Sequence, residues 1–130
     1  MSAEYNGPER RKSARIGVKF VVTYQVDRPI DVRMWVGNKQ INALMLDLSE
    51  QGMAILTKYE IPVSSSLAIK FTLINLGAEK DRQMHSMEII GEVRYSYREK
   101  NEHHLGITFT RISQEDKTAI VSFVQMAMNQ

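Results

Sequence analysis

The sequence predicts an all-β fold, an antiparallel barrel or sandwich closed by one C-terminal helix, and three observations carry that expectation. Apolar residues recur with period two in several short runs. Turn-forming residues, not helical segments, separate those runs. Helical spacing of apolar residues appears only at the end of the chain. Strand side chains alternate between faces while helical ones repeat every three to four residues, so the two periods mark different elements.

The first strand is expected from Val18, where Val18, Phe20, Val22, Tyr24 and Val26 alternate with Lys19, Thr23 and Gln25, and Val21 is the only apolar residue on the opposite face. Residues 30–36 are expected to extend as a strand or ribbon, with Gly37-Asn38 as a turn before a further strand over 40–48. Met53, Ile55 and Thr57 alternate with Ala54, Leu56 and Lys58, and the run breaks at Pro62 and Ser64-Ser65-Ser66. Leu67, Ile69, Phe71 and Leu73 give another period-two set before a charged, loop-like stretch over 77–83. On the next strand Ile89, Val93, Tyr95 and Tyr97 are expected to share one face, and Leu105, Ile107 and Phe109 to line the last. Ser113, three residues before Asp116 and with Glu115 between, is a helix-capping pattern ahead of Ala119, Ile120, Phe123, Val124, Ala127 and Met128.

Length and composition bound the function. A chain of 130 residues is one domain and buries a serviceable core without staples. It contains no cysteine, which excludes disulfides and thiolate zinc sites and fits a reducing cytoplasm. No apolar run is long enough to span a bilayer, and the polar start has no signal-peptide core, so a soluble, unexported protein is expected. A net charge of +2 is too small for a general nucleic-acid binder. The charge is concentrated at the front, where Arg10, Arg11, Lys12, Arg15 and Lys19 face only Glu9. A local anion site is the expectation.

Two polar signatures carry chemistry. Arg11-Lys12-Ser13-Ala14-Arg15 offers two guanidinium forks that fit phosphate oxygens and stack on bases. Asp47-Leu48-Ser49-Glu50-Gln51-Gly52 offers a carboxylate, which can accept the paired N–H donors on a guanine edge, and a hydroxyl on a tight turn. Taken alone, the first reads better as an ordinary solvated basic arm, and the second as a hairpin turn. Gly52 is expected to hold a positive-φ conformation that a larger residue resists.

The ordered pair, R-x-x-x-R followed by D-x-S-x-x-G, resembles the PilZ domain family of bacterial cyclic di-GMP receptors. The similarity extends from about Glu9 to Phe123, because Gly91-Glu92-Val93-Arg94 and Leu105-Gly106-Ile107-Thr108-Phe109 also resemble that family's closing strands. The resemblance implies a six-stranded, Greek-key-like β-barrel with a C-terminal helix. It implies a flexible ligand-binding arm over residues 1–16 and a barrel domain over 17–130. Arg11 and Arg15 would contact phosphates and stack on guanine, Arg10 would add a contact or set whether one or two nucleotides bind, and Asp47 and Ser49 would hydrogen-bond the base. Ser13 and Ala14 are small where many relatives carry a bulkier residue between the arginines. The ligand would be cyclic di-GMP, with no cofactor or metal, and the regulated processes motility, biofilm or surface polysaccharide. With no output domain in the sequence, the signal would pass to an unidentified effector protein or through a homodimer.

Other residues weigh little. His85, His103 and His104 are expected to be solvated loop histidines, since no cysteine or carboxylate completes a metal-ligand pattern and adjacent strand residues point apart. No nucleophile, base and orienter assemble, and neither a Walker loop nor a G-x-G-x-x-G sequence occurs, so no enzyme is expected. Trp35, with Met34 and Val36 beside it, is either a buried ring or part of a partner-binding edge. Met126 and Met128 fit a core or an adaptable interface equally. Two rival readings stand: a ligand-independent interaction module on the same fold, and a small single-stranded nucleic-acid-binding barrel.

Overall fold

The computed structural model describes residues 16–75 and 83–128. Residues 1–15 of the expected arm, with Arg10, Arg11 and Arg15, and residues 77–82 of the expected loop lie outside them, whereas Ile16 and Gln83 begin strands. The described elements are β1 (Ile16–Arg28), α1 (Ile30–Trp35), β2 (Ile41–Ser49), β3 (Gly52–Thr57), β4 (Ser66–Asn75), β5 (Gln83–Glu99), β6 (Glu102–Arg111) and α2 (Gln114–Met128).

The six strands close into an antiparallel barrel in the order β1-β2-β3-β6-β5-β4, with β1 pairing β4 to complete the ring. β3 leads to β4 across the barrel, and β6 then returns to lie beside β3, which is the Greek-key arrangement. Closure removes both sheet edges. Period-two patterning supplies the interior: Val22, Tyr24 and Val26 from β1 meet Leu67, Ile69, Phe71 and Leu73 from β4, and Leu105 and Ile107 from β6. Phe109 is only partly buried and packs against this cluster. Each end has a helix. Val36, just past α1, is buried in the core at one end, and α2 contributes Ile120 and Val124, packing against β2, β4 and β1. The expected cap of α2 is present, with the Asp116 amide donating to Ser113 Oγ at 3.0 Å. His85 of β5 and Asp116 of α2 lie 2.8 Å apart, which ties the helix's first turn to the barrel.

Three sequence expectations are corrected. Residues 30–35 form a helix, not a ribbon, because Val32 and Val36 fall four apart and turn inward while Asp31, Ile30, Met34 and Trp35 stay outside. Trp35 is therefore exposed, which removes the buried-ring alternative. Tyr95 and Tyr97 do not share the face of Ile89 and Val93, because a register shift between Val93 and Tyr95 reverses the alternation. Both rings lie outside, Tyr95 opposite Gly106 and Tyr97 stacked on His104 with centroids 4.6 Å apart. The three histidines sit on strands rather than in loops. No described helix is long and apolar enough to cross a membrane.

Candidate functional site

The hairpin joining β2 to β3 gathers Asp47, Ser49 and Gly52. Inward residues of β2 run Ile41, Ala43 and Met45 with strict alternation, then skip to Leu48. The skip is a bulge: Met45 pairs Ile55 and Asp47 pairs Ala54, so Leu46 is an extra residue and both Leu46 and Asp47 face outward. The β1–β2 ladder is also irregular here, shifting register between Gly17 and Phe20. Two irregular ladders thus flank Asp47. Its carboxylate Oδ1 accepts the Ala54 amide at 3.0 Å, which fixes the side chain against the barrel's outer wall.

Ser49 is 1% exposed and organises the turn. Its Oγ accepts the Gln51 amide at 3.1 Å and lies 3.5 Å from the Gly52 carbonyl oxygen, to which it donates. Gly52 is not at positive φ; among described glycines only Gly37 is. The expectation of a left-handed glycine is corrected, and the reason for glycine is the neighbouring strand. A Cβ on Gly52 would collide with the Ile107 carbonyl oxygen and lie 3.3 Å from Thr108 Cα. The Phe109 amide donates to Gln51 O at 2.8 Å, so β6 grips the turn from the other side. Sequence reading could not find Ile107 and Thr108 as supports, since their role depends on a pairing between distant strands.

β1 enters the barrel at this hairpin. Ile16 pairs Leu48 and Gly17 pairs Asp47. Arg15 is one peptide bond from Ile16, and consecutive Cα atoms are about 3.8 Å apart. The arginines themselves lie outside the described residues.

From Asp47 a row of cross-strand partners runs around the outer wall through Ala54 and Gly106 to Tyr95. Tyr95 covers Gly106 so closely that a Cβ there would overlap its ring. This aromatic neighbour is a second feature hidden from the sequence by the β5 bulge. A groove of about 810 Å³ elsewhere on the barrel, lined by Val21, Lys70, Phe71, Glu88 and Phe123 among others, contains no residue of the hairpin. Among the described residues no cluster of histidine and carboxylate side chains could hold a metal ion.

Comparison with solved structures supports the fold. The Inhibitor of motility of Bacillus subtilis (MotI/DgrA) is similar with a TM-score of 0.70 at 17% identity, covering 93% of this chain and 53% of that one. YcgR of Escherichia coli in complex with c-di-GMP is similar with a TM-score of 0.64 at 14% identity, covering 92% of this chain and 46% of that one. The chain thus spans about half the length of either. The isolated PilZ domain of the same YcgR, also with c-di-GMP, gives a TM-score of 0.59 at 17% identity over 92% of this chain and 95% of that one. No curated protein matches by sequence. The PilZ domain family matches residues 9–126, a span that takes in both polar signatures and every barrel strand, and the chain belongs to that family.

Proposed function

We propose that this chain is a cyclic di-GMP receptor that holds the dinucleotide between Arg10, Arg11 and Arg15 of its arm and Asp47, Ser49 and Gly52 of the β2–β3 hairpin. The observation that supports the reading is the pairing of Ile16, the residue after Arg15 in the sequence, with Leu48 of the hairpin. Guanidinium forks match phosphate oxygens and stack on bases. Asp47 Oδ1 is held by the Ala54 amide, so the carboxylate is preorganised toward a guanine edge instead of being ordered at binding. Ser49 keeps the turn in shape, and Gly52 lets β3 approach β6. Two similar structures of one protein, YcgR and its PilZ domain, hold c-di-GMP, in line with this reading.

The receptor acts without catalysis, in the cytoplasm, and relays ligand binding to an effector protein. Ordering the arm neutralises its clustered arginines and changes the surface near β1, β2 and α2, three elements in mutual contact. Such a relay requires the ligand to favour one arm state over the other. Titration of the purified protein with cyclic di-GMP, GTP and oligonucleotides tests the reading. Saturable binding of the cyclic dinucleotide alone supports it, whereas no binding favours the interaction module and salt-sensitive oligonucleotide binding favours the nucleic-acid barrel.

A further inference from the structure

At the end of β1 remote from the hairpin, the chain exposes apolar surface that the receptor reading leaves without a role. α1 presents Ile30 and Met34 on one outward ridge and Asp31 and Trp35 on the next, each pair four residues apart. Trp35 is 62% exposed although it meets Tyr59 edge-on, with centroids 6.3 Å apart. Beside it runs a groove floored by Ile61 and walled by Trp35, Val63 and Pro62. Large exposed apolar side chains gathered in one place mark an interaction surface more often than a solvated one.

The charges define the occupant. Among the described residues, Asp31 and Glu60 are the only ionisable ones that line the groove, so its field is anionic although the whole chain is net positive. Nearby cations are engaged elsewhere: Arg33 Nε donates to Asn38 Oδ1 at 2.7 Å, Lys39 Nζ sits over the Tyr59 ring at 5.6 Å, and Arg28 lies 3.8 Å from Asp27. An indole beside two carboxylates favours a cation carried on an apolar stem.

We propose that this groove docks a segment of a partner protein that presents lysine or arginine next to apolar side chains. The partner's cation lies between Asp31 and Glu60, and its apolar neighbours cover Trp35 and Val63. No residue of the β2–β3 hairpin lines the groove, although its wall includes Ser96, next in sequence to Tyr95. The inference stands whether or not the hairpin binds cyclic di-GMP.

Trp35 is the chain's single tryptophan, and its emission therefore reports on the groove directly. The probe is a short amphipathic peptide of leucine and lysine, compared with the same peptide carrying glutamate for lysine. The lysine peptide is expected to blue-shift Trp35 emission and shield it from acrylamide. The Asp31→Asn/Glu60→Gln double variant should weaken that binding about tenfold, as should raised salt in the wild type. Val63→Ser, in an exposed turn, should weaken it without altering charge. Glu88→Gln on another part of β5 should not change it. Equal binding of both peptides, wild-type binding by the double variant, or no emission change at all would overturn the proposal. So would concentration-dependent shielding without peptide, which would assign the face to a second copy of the chain.

Discussion

Gly52 lies so close to the Ile107 carbonyl that the backbones of β3 and β6 leave no room for a side chain between them. Gly52→Ala should therefore cost about 2 to 4 kcal/mol, because the obstructing atom is backbone and cannot rotate away. Gly52→Asn separates this cause from a left-handed backbone, which asparagine tolerates. Chemical denaturation should show Asn no better than Ala; a clear rescue by Asn would contradict the steric account.

Asp47 has a structural duty as well as its proposed contact with guanine. Asp47→Ala orphans the Ala54 amide and should lose about 1 to 3 kcal/mol of stability. Asp47→Asn keeps an acceptor for that amide but loses the second carboxylate oxygen. It should retain most of the stability while binding cyclic di-GMP more weakly and discriminating less against cyclic di-AMP. Denaturation and binding measured on both variants check the separation.

Tyr24 makes stability fall at alkaline pH. Burial, opposed by the hydrogen bond to Thr57 at 2.8 Å and reinforced by Tyr59, pushes its phenol up to about 12. A phenol is neutral below its pKa, and the unfolded chain titrates near 10. The stabilisation is thus complete below pH 10 and is lost as pH rises toward 12, by about 2 to 3 kcal/mol. Tyr24→Phe should lower stability at neutral pH by about 1 kcal/mol and flatten this alkaline slope. Unfolding curves between pH 8 and 12 compare the two, and equal slopes would contradict the assignment.

Tyr95 and Gly106 should be energetically coupled. Gly106→Ala must displace the tyrosine ring, whereas beside Tyr95→Ala the same substitution no longer meets that ring. A double-mutant cycle should return a coupling of about 0.5 to 3 kcal/mol. Additive effects would show that the ring yields freely.

These particulars show what the sequence discloses. Period-two runs such as Leu67 to Leu73 identify the barrel interior because a regular ladder preserves alternation. The Ser113 pattern identifies the start of α2 because a cap is a local interaction. The outward turn of Tyr95 and Tyr97 is hidden because a bulge reverses the faces of a strand without leaving a composition signal. The helix over Ile30–Trp35 is hidden because six residues carry too few repeats to separate a helical period from an alternating one. At the candidate site, Asp47, Ser49 and Gly52 were legible as a motif. The outward turn of Asp47 and the obstruction behind Gly52 arise from ladders to β3 and β6, which no local spacing reveals.

Calorimetric titration of cyclic di-GMP into the wild type, Arg11→Ala and Arg15→Ala tests the central claim most directly. The account predicts saturable binding by the wild type and a loss of about one to two orders of magnitude in each variant, the scale of one charge-assisted hydrogen bond. Thermal stability without ligand should hardly change, since both arginines precede the first barrel strand. Wild-type affinity in both variants, or no binding by any of the three proteins, would contradict it.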